Sequence, residues 1–380
     1  MSANRFPEHG KVLFSATLVR GHIAKFHIPY LKWFKDHGWE TWVAARNDYP
    51  DDVCKNPYCD HFVNIDFARS PFSKQTLVAY KQLRKLFAEE HFDIVHTHTP
   101  VGGVLTRLAA RNSRRDGTKV IYTGHGFHFF NGAPVANWML WYPVERVMSR
   151  FTDVLITIND EDYKRAKKFA HCDVEYVQGV GIDLDRFAVS DTVSSKRSEL
   201  GVYDDDHMIL AVGDLIKRKN HQCIIRALTE LDDCFKLFIC GTGIEEESLK
   251  ELVSELGLGS RVFFLGFRKD IPALMHASDM LVFPSIHEGL PVTVMEAMAS
   301  ELPVIATRIR GIVPDLLESG VNGIVLNNDD PSTVADAIEG LAADPAEAKA
   351  LAVKAKQDSK RFAVNKIVSN VASIYMKVLA

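Results

Sequence analysis

The stretch FPSIHEGLPVTVMEAM, residues 283–298, joins the end of an apolar strand to a short loop and the start of a helix. Pro291 favours the first turn of that helix, where no backbone N–H donor is needed. The free amide groups of such a turn attract an anion, such as a diphosphate. Glu296 lies within the helix, where it could accept hydrogen bonds from two vicinal hydroxyl groups, and Glu288 lies in the loop, where a second polyol could bind. A capped surface helix with solvated acids is the alternative interpretation.

The same succession of strand, loop and helix recurs along the whole chain. Short apolar runs alternate with amphipathic stretches, which is typical of βαβ units and a parallel sheet. A polar stretch, Ala188–Asp206, is interpreted as a linker, after which the alternation starts again. We therefore predict an α/β protein with two Rossmann-like, doubly wound parallel-sheet domains, residues 1–190 and 191–363. Such sheets bind ligands outside the carboxyl ends of their strands, so two of them face to face would form a cleft.

The apolar runs predict the individual strands, and the amphipathic stretches predict the helices. The first domain is expected to have strands Val12–Ala16, Thr41–Ala45, Phe62–Ile65, Ile94–His96, Val120–Thr123, Val154–Ile158 and Val174–Val177, with helices that include Ala24–His37 and Lys74–Glu90. The second is expected to have strands Met208–Val212, Lys236–Cys240, Val262–Leu265, Met280–Phe283 and Val304–Ala306, and helices His221–Leu231, Glu246–Leu256, Ile271–Ala277 and Pro291–Ser300. Residues 364–380 are predicted to form a helix that packs back on the first domain.

The composition excludes several broad classes of protein. The chain has 380 residues, 47 % of them apolar and 25 % charged, with 45 Lys and Arg against 49 Asp and Glu. This balance is ordinary for a soluble globular chain, so it excludes disorder and a disulfide-rich miniprotein and disfavours a nucleic-acid-binding chain. Residues 1–190 carry 25 basic and 21 acidic side chains, and the remainder carries 20 and 28. The first half is therefore the better candidate for contact with an anionic surface or substrate.

The cysteines contain no C-x-x-C pair, which argues against zinc-binding and thioredoxin-like motifs. They are Cys54, Cys59, Cys172, Cys223, Cys234 and Cys240. We interpret them as the reduced thiols of a cytosolic protein. The segment Met1–Gly10 lacks the apolar core of a signal peptide, and no apolar run reaches the ~18 residues of a membrane span. We accordingly expect a cytoplasmic protein.

Three consecutive cations, Lys217, Arg218 and Lys219, follow the first predicted strand of the second domain. Cations between a strand and a helix can clamp a phosphate group. A solvated run of charges is the alternative interpretation. Their position at the carboxyl end of a strand favours the clamp, because ligands bind at that edge of such a sheet.

The sequence Gly241-Thr-Gly243 follows the next predicted strand. A dinucleotide fingerprint would require a third glycine three residues later, but Glu246 occupies that position. We therefore reject NAD binding and expect only a close approach of the backbone at Gly241 to a ligand.

Histidines follow three predicted strands of the first domain. His22 comes after Gly21 beyond the first strand, His96 and His98 lie at the end of the fourth, and His125 lies between two glycines beyond the fifth. The glycines free the backbone and let a substrate come close to His125. Since His96 and His98 have no third ligand at a suitable spacing, no metal site is predicted.

The segment 127–143 is very aromatic and includes Trp138 and Trp141. Two basic groups accompany it, namely Arg107, Arg111, Arg114, Arg115 and Lys119 in one and Lys81, Arg84 and Lys85 in the other. Aromatic side chains beside basic ones suit an anionic membrane surface. A core helix with solvated basic faces is the alternative, and the sequence leaves both open.

Taken together, the motifs resemble those of the retaining glycosyltransferase family 4, which has the GT-B architecture of two Rossmann-like domains. The resemblance covers almost the whole chain. It rests on Gly179–Phe187, Phe264–Ile271, Ala277–Asp279, the E-x7-E pair Glu288 and Glu296, Ala297–Ala299, Leu302–Ala306 and Gly320–Gly323. The segments Ala16–Thr17, His27–Trp33 and Thr123–Phe129 are similar to those of bacterial exopolysaccharide and capsule transferases, which act on lipid-linked acceptors.

The resemblance implies that the second domain binds a nucleotide-sugar donor. Lys219 would bind the donor diphosphate and Glu296 the ribose, while Glu288 would hold the donor sugar and diphosphate. The other residues that the resemblance and the motifs place at the donor are Gly21, Lys217, Arg218, Gly241, Arg268 beside the base, and the backbone of Gly289 and Leu290. One departure stands out, because many members carry arginine where this chain has Asp214, so Lys217 or Arg218 would replace the missing cation.

The first domain would bind the acceptor, and its His125 would face the reacting sugar. The catalytic residues predicted in this way are His125, Glu288 and Lys219. The residues predicted to contact the acceptor are His22, His98 and His128.

By resemblance, we expect a retaining transfer of a sugar from a nucleotide sugar, with UDP as the nucleotide, to a lipid-linked or polysaccharide acceptor in cell-surface glycan synthesis. No metal or other cofactor is expected, because cations and helix amides would neutralise the leaving diphosphate. Asp183-Leu-Asp185 matches the D-x-D metal motif of other sugar transferases, but its place between domain and linker favours a turn. Peripheral binding to the cytoplasmic face of an anionic membrane is expected. A GT-B sugar-nucleotide 2-epimerase and a non-catalytic nucleotide-sugar-binding protein are the alternatives.

Overall fold

The computed structural model describes residues 7–49, 56–68, 70–188 and 193–380. The chain forms two compact units, the first comprising Met1–Gly181 and Val364–Ala380 and the second Ile182–Ala363. Each unit is built on its own parallel sheet, which confirms the predicted α/β class with two Rossmann-like domains. The boundary predicted between residues 190 and 191 lies outside the described residues, as does Cys54.

Within the described residues, the first unit contains a parallel sheet of seven strands in the order β3-β2-β1-β4-β5-β6-β7. The strands are β1 Lys11–Leu18, β2 Glu40–Arg46, β3 His61–Asn64, β4 Ile94–His98, β5 Lys119–Gly124, β6 Val154–Thr157 and β7 Asp173–Tyr176. The central strands β1, β4 and β5 all end at the same edge, because the sheet is parallel. The segments that carry Gly21, His98 and His125 therefore meet at that edge.

The helical segment after β1 is not the single helix predicted over Ala24–His37. Three pieces take its place, namely a π-helix Val19–Ile23, α1 Ala24–Phe26 and α2 Ile28–Asp36. Pro29 accounts for the break at His27, because proline lacks the N–H that a continuous helix needs and its ring clashes with the carbonyl four residues earlier. The helices that follow are α3 Gln75–Glu89, α4 Pro100–Ala109, α5 Val135–Met148 and α6 Asp160–Phe169.

Both faces of the first sheet are buried. Phe14 of β1 packs on one face against Leu31 and Phe34 of α2, while Leu13 packs on the other face against Leu83 of α3. Strands covered on both faces consist of continuous apolar runs rather than alternating ones. This is why the strands could be predicted from apolar runs.

The sheet of the second unit has six parallel strands among the described residues, in the order β10-β9-β8-β11-β12-β13. They are β8 His207–Val212, β9 Phe235–Cys240, β10 Val262–Gly266, β11 Met280–Phe283, β12 Val304–Thr307 and β13 Ile324–Leu326. The helices are α7 Val193–Glu199, α8 His221–Ala227, α9 Glu246–Glu255, α10 Ile271–Ala277, α11 Val292–Ala299, α12 Pro331–Ala343 and α13 Pro345–Ser359. The edge strand β13 was not predicted, since its three residues give too short a pattern.

Part of the predicted linker is a helix. In α7, Arg197 donates a hydrogen bond to the Ala277 carbonyl (2.9 Å) and pairs with Asp279 (3.1 Å). Lys196 pairs with Asp270 at 2.9 Å. These polar contacts hold α7 against α10, so a polar stretch that resembles a linker in sequence is an ordered part of the second unit.

The last helix, α14 Val364–Leu379, belongs to the first unit. Its buried residues Ile367, Val371, Ile374 and Tyr375 join the apolar cluster around Phe14. Among the described residues, no helix combines the length and hydropathy that a membrane-spanning segment requires.

Candidate active site

Glu288 is the centre of an ion-pair cluster in the second unit. Its Oε1 atom lies 2.5 Å from Arg218 Nη1 and 2.8 Å from Lys219 Nζ, and the residue is 9 % exposed. Burial raises the pKa of Glu288, but the attraction of Lys219 and Arg218 outweighs burial and holds this pKa below its ordinary value. The carboxylate is therefore ionised at neutral pH, and the cluster keeps one excess positive charge for an anion.

The turn that carries the cations is tied to the loop that carries Glu288. Residues 217–219 form one 3₁₀ turn within the segment that joins β8 to α8. The carbonyl of Arg218 accepts a hydrogen bond from Ile286 N (2.9 Å), and its guanidinium donates to the His287 carbonyl (3.1 Å). Two loops at the carboxyl edge of the sheet thus form one structure, as the clamp interpretation of the sequence requires.

Arg218, rather than Lys217, is the second cation beside Glu288. Lys217 is exposed, whereas Arg218 and Lys219 are half-buried. Asp214, which stands where many family members have arginine, is exposed as well. Of the two candidates for replacing the missing cation, the structure brings only Arg218 to the cluster.

Lys219 is held over an aromatic ring. Its ammonium group lies 4.7 Å from the centroid of the Phe283 ring. A Cβ atom added at Gly213 would lie only 3.1 Å from Lys219 Cε. The glycine after β8 therefore leaves room for the lysine side chain to cross the end of the strand.

Gly241 and Gly243 approach another backbone segment. A Cβ atom at Gly241 would lie 1.9 Å from the Gly213 carbonyl oxygen, and one at Gly243 would lie 2.2 Å from that of Leu215. The Leu215 N–H donates to the Thr242 carbonyl at 3.0 Å. The absence of a side chain at Gly241 and Gly243 thus lets the loop after β8 pack closely, and the predicted approach of the Gly241 backbone to a ligand stays a prediction.

Glu296 lies half-buried on α11. Burial raises its pKa to about 7, and the positive charge of Arg186 opposes this rise. Arg186 lies on a 3₁₀ turn, Leu184–Phe187, that Asp183 caps by accepting a hydrogen bond from Asp185 N at 3.2 Å. The D-x-D sequence thus forms a turn, and the motif places Arg186, which sequence analysis missed, near Glu296.

The loop at Gly289 and Leu290 is packed tightly from behind. Gly311 has a φ of +79°, and a Cβ atom there would lie 2.4 Å from the Gly289 carbonyl oxygen. Arg310 donates a hydrogen bond from Nε to the Glu288 carbonyl at 2.8 Å. Arg310 is a further cation at this loop that sequence analysis missed, because it lies on a segment with no motif of its own.

Arg268 is already paired in this structure. Its guanidinium lies 2.6 Å from Asp270 and 3.2 Å from Glu199 of α7. The hydrogen bonds that Arg268 donates to the Asp270 carboxylate are the main reason that the pKa of Arg268 is raised. Its predicted place beside the base of a nucleotide stays a prediction, while its observed contacts hold α7 to the loop after β10.

The first unit carries a cluster of five histidines at the carboxyl edge of its sheet. His22 Nδ1 and His27 Nε2 are 2.9 Å apart, and His98 Nδ1 and His125 Nε2 are 3.2 Å apart. The rings of His27 and His98 stack with centroids 3.7 Å apart. The fifth ring, of His96, packs against that of His98 with centroids 4.2 Å apart. Sequence analysis singled out four of the five and missed His27, although its spacing of five residues from His22 was a usable signal.

The base of the histidine cluster is fully hydrogen-bonded. His96 Nδ1 lies 2.6 Å from the Tyr375 hydroxyl of α14, and its Nε2 lies 2.8 Å from the Thr123 hydroxyl. Burial lowers the pKa of His96 to about 3. Tyr375 is far away in sequence, so the C-terminal helix supplies support that no local pattern indicates.

The upper histidines are neutral at physiological pH. Burial lowers the pKa of His125 to about 4. Burial, together with the neighbouring histidines, holds the pKa values of His22, His27 and His98 well below the ordinary value. Each ring can therefore donate one hydrogen bond and accept another, which suits contact with sugar hydroxyl groups.

The residues predicted to contact an acceptor do not form one surface. His22 is half-buried next to His125, with ring centroids 4.8 Å apart. His98 is only 1 % exposed, so it supports His125 and is too deep for the predicted contact with an acceptor. His128 is exposed and packs against Trp141 instead, at 4.9 Å between ring centroids.

Gly21 is half-buried in the π-helix after β1, and its N–H already has a partner. Asp48 accepts hydrogen bonds from Gly21 N (3.1 Å) and Arg20 N (2.6 Å). A carboxylate at this place repels an anion, so a diphosphate near Gly21 would require Asp48 to turn away. The contact between Gly21 and the diphosphate therefore remains a prediction, and it requires the Asp48 carboxylate to move.

The basic residues that sequence analysis assigned to a membrane surface do not share one environment. Arg107 is fully buried and pairs with Glu145 at 2.9 Å, so it cannot contact lipid. Arg114 pairs with Asp153 at 2.7 Å. An open pocket of about 610 Å³ is lined by Arg111, Asn112, Arg114, Arg115, Arg150 and Phe151. These residues precede β5 and β6, so the pocket lies at the amino edge of the sheet, opposite the histidines.

The aromatic segment is also partly internal. Trp138 and Trp141 are half-buried against the core, and the Arg165 guanidinium lies 4.5 Å from the Trp138 ring centroid. The most exposed large apolar residues of α5 are Val135 (73 %) and Met139 (75 %). The two tryptophans therefore belong to the core, as the core-helix interpretation of the sequence states. The exposed apolar surface of α5 is formed by Val135 and Met139.

Known protein families match both units. The family described as Glycosyl transferase 4-like matches residues 11–159, and the one described as Glycosyl transferases group 1 matches residues 193–358. EpsD of Bacillus subtilis (strain 168), a protein named as a glycosyltransferase, is 41 % identical over 372 residues that span 96 % of each chain. The UDP-Gal:alpha-D-GlcNAc-diphosphoundecaprenol alpha-1,3-galactosyltransferase of Escherichia coli is 32 % identical over 241 residues, which cover 60 % of this chain and 61 % of that enzyme.

Solved structures share the architecture. Anabaena Alr3699/HepE, solved in complex with UDP and glucose, matches with a TM-score of 0.82 and 23 % identity over 97 % of this chain and 100 % of that chain. At this identity the likeness concerns the fold. The family matches in both units and the full-length relative decide the assignment. The chain belongs to glycosyltransferase family 4 and is a transferase enzyme of GT-B architecture.

Proposed function

We propose that the enzyme transfers a sugar from a UDP-sugar to a lipid-linked acceptor in cell-surface glycan synthesis, with retention of configuration. The observation that carries the proposal is the cluster of Lys219, Arg218 and Glu288 at the carboxyl edge of the second sheet. Two cations held in place beside one carboxylate offer a fixed positive field to a diphosphate. Such preorganised charge is the largest contribution to catalysis when negative charge develops on a leaving group.

In the proposed reaction, the bond between the anomeric carbon and the UDP oxygen breaks, and its electron pair goes to UDP. Lys219 and Arg218 stabilise the charge that grows on the diphosphate. The acceptor hydroxyl attacks the same face of the sugar and passes its proton to a diphosphate oxygen. An α-linked donor then gives an α-linked product, and no protein carboxylate is needed as a nucleophile.

His125 is proposed to bind the reacting sugar. A neutral imidazole with a pKa of about 4 is a poor acid at pH 7, so its role is to hold a hydroxyl group by a hydrogen bond. His98 orients the ring through the 3.2 Å contact between Nδ1 and Nε2. His22 lies beside His125 and is proposed to contact the acceptor.

The relatives support the classes of donor and acceptor. The E. coli enzyme is named for transfer from UDP-Gal to a sugar on diphosphoundecaprenol, which is a lipid diphosphate. HepE of the same fold was solved with UDP and glucose. EpsD, by its name, is a glycosyltransferase without a stated substrate. A UDP-sugar and a lipid-diphosphate acceptor are therefore the first substrates to test.

A lipid-linked acceptor stays in the bilayer, so we propose a cytoplasmic enzyme that binds the inner face of an anionic membrane. The surface proposed for this contact comprises Phe72 and Leu77 at the start of α3 and Val135 and Met139 at the start of α5. These side chains are 68–81 % exposed. They lie at the carboxyl edge of the first sheet, as His125 does. The arginine pocket lies at the opposite edge, about 20 Å away at ~3.3 Å per strand residue.

The test is a transfer assay with a panel of UDP-sugars and an undecaprenyl-diphosphate-linked sugar. We expect UDP release that depends on the acceptor, and an α-linked product by NMR. A β-linked product would refute retention. Epimerised sugar nucleotide without acceptor would indicate the 2-epimerase, and tight binding without turnover would indicate the non-catalytic alternative.

We also expect transfer to persist in excess EDTA. The reason is that Lys219, Arg218 and the amides at the start of α11 would neutralise the diphosphate in place of an ion. Loss of transfer in EDTA, restored by Mg²⁺ or Mn²⁺, would contradict metal-independent catalysis.

A further inference from the structure

We propose that His22, His27 and His125 form a binding site for a divalent transition-metal ion, with Zn²⁺ as its representative. Each residue offers one ring nitrogen, and these three nitrogens all lie within 4.8 Å of one another. The site belongs wholly to the first unit. It differs from a metal site required for catalysis, because the proposed reaction uses no ion.

The three rings converge from different directions. The rings of His22 and His27 are nearly parallel, with an interplanar angle of 26°, whereas His125 meets them at 80° and 64°. In a tetrahedral zinc site with Zn–N bonds of 2.0–2.1 Å, the nitrogens lie about 3.3–3.4 Å apart. His22 Nδ1 and His27 Nε2, at 2.9 Å, would separate by only a few tenths of an ångström.

The local backbone explains why histidines five residues apart lie side by side. His22 belongs to the π-helix Val19–Ile23, whose hydrogen bonds span five residues, and His27 lies at the break before Pro29. Single turns of π-helix are frequent at functional sites. His125 reaches the same place from the loop after β5, between Gly124 and Gly126.

One buried ring nitrogen of this group makes no hydrogen bond to the described residues. Among the described residues, His27 Nδ1 has no hydrogen-bond partner, and the ring is 1 % exposed. A neutral imidazole has one proton for two nitrogens. If Nε2 donates that proton to His22, an unpaired acceptor is buried at Nδ1; if Nδ1 holds it, an unpaired donor is buried there. Such an orphaned group is rare and needs an explanation. An ion on Nε2 would fix the proton on Nδ1 without giving it a partner, so the proposal rests on the convergence of the three ring nitrogens.

The donor set selects the class of ion. Three neutral imidazoles suit Zn²⁺, Co²⁺, Ni²⁺ and Cu²⁺, whereas Mg²⁺ and Ca²⁺ prefer oxygen ligands. Three histidines leave one coordination position of Zn²⁺ free, and the site is not sealed from solvent, because His22 and His125 are only half-buried. Three histidines with one open position are the arrangement of zinc sites that accept an exogenous ligand.

A bound ion would inhibit transfer, a consequence that rests on the proposed function. The ion takes the lone pairs of His125 and His22, which are then lost as partners for sugar hydroxyl groups. Binding of the ion itself requires no sugar nucleotide. The two proposals can therefore fail separately.

The first experiment is calorimetric titration of the metal-free full-length protein with Zn²⁺, with Mg²⁺ as the control ion. We expect one Zn²⁺ per chain and no heat from Mg²⁺. His22→Ala and His125→Ala should each weaken Zn²⁺ binding at least tenfold, and the exposed His91→Ala should leave it unchanged. These variants avoid the fully buried His27. Absence of Zn²⁺ binding, or equal binding by all four proteins, would overturn the proposal.

The second experiment identifies the ligands with Co²⁺. Absorption typical of tetrahedral Co²⁺ with nitrogen ligands should be absent in His22→Ala and present in His91→Ala. A thiolate-to-cobalt band in the near ultraviolet would place the ion on a cysteine and refute the site. Zn²⁺ should also slow transfer, and EDTA should restore it. If the protein binds Zn²⁺ but transfers no sugar, the metal site is supported and the proposed function is refuted.

Discussion

The ion-pair cluster of the second unit and the histidine cluster of the first unit occupy equivalent places, in loops beyond the carboxyl ends of central strands. Their electrostatics differ completely. Glu288 is buried yet ionised, because Lys219 and Arg218 lie within 2.8 Å of it. His125 is half-buried and neutral, because burial lowers its pKa to about 4 and its neighbours are uncharged imidazoles. The same architecture thus offers fixed charge in one unit and uncharged hydrogen-bonding groups in the other.

This difference matches two tasks of a glycosyltransferase. A leaving diphosphate needs positive charge that is already in place, since reorganising charges during the reaction is costly. Sugar hydroxyl groups need donors and acceptors without a charge to desolvate. We therefore expect substitutions in the second unit to affect the diphosphate and those in the first unit to affect the sugar.

The largest effect is expected for Lys219→Ala. Removing a group that stabilises developing charge lowers kcat by about 10²–10³-fold, with a smaller change in KM. Lys217→Ala, the matched exposed lysine, should have the smaller effect. Steady-state kinetics with both variants tests this order. Equal effects would show that the exposed Lys217 contributes to the clamp as much as Lys219 does.

The next effect concerns Glu296→Ala. If the carboxylate accepts hydrogen bonds from the ribose, its loss should weaken UDP binding by about 1.5–3 kcal/mol at pH 8. Calorimetry with UDP alone measures this. Unchanged affinity would exclude Glu296 as the ribose partner.

The pH dependence of donor binding is a second test of Glu296 as the ribose partner. The ribose hydroxyls prefer the ionised carboxylate, and the pKa of Glu296 in the free enzyme is about 7. Affinity for a UDP-sugar, whose diphosphate does not titrate here, should fall as the pH decreases from 8 to 6. In Glu296→Gln this fall should disappear, and a fall that persists would point to another group.

His125→Ala should distinguish the role of the histidine cluster from that of the ion-pair cluster. We expect UDP affinity within threefold of the parent and a loss of kcat of about 5–150-fold, which corresponds to a hydrogen bond of ~1–3 kcal/mol. Calorimetry and turnover measured on one preparation give both numbers. A parallel loss of UDP binding would show that the histidine cluster is structural.

The smallest effect concerns the membrane. Each basic or apolar residue at the lipid surface contributes on the order of 1 kcal/mol. Phe72→Ser combined with Met139→Ser should reduce cosedimentation with anionic vesicles more than charge reversal at Arg111 and Arg115. Salt should release the protein, because it screens the lipid charge. The reverse order would place the arginine pocket, and not the edge that carries His125, at the bilayer.

Sequence alone determined the architecture and the donor-side motifs. Strands buried on both faces are apolar throughout, so the two parallel sheets were visible as runs along the chain. Loops after such strands must meet at one edge, which is why Lys219 and Glu288 could be expected near each other although 68 residues lie between them in the sequence. These properties depend on local periodicity and on one general rule of parallel sheets.

Tertiary structure alone decided which polar groups become partners. Arg218 rather than Lys217 pairs with Glu288. Arg107 is buried against Glu145, and Asp48 accepts a hydrogen bond from the Gly21 N–H. His27 joins the histidine cluster because Pro29 interrupts a helix that apolar spacing predicted as continuous. A side chain's partner depends on the relative position of segments far apart in sequence, to within about an ångström. Residue type and local spacing do not carry that information.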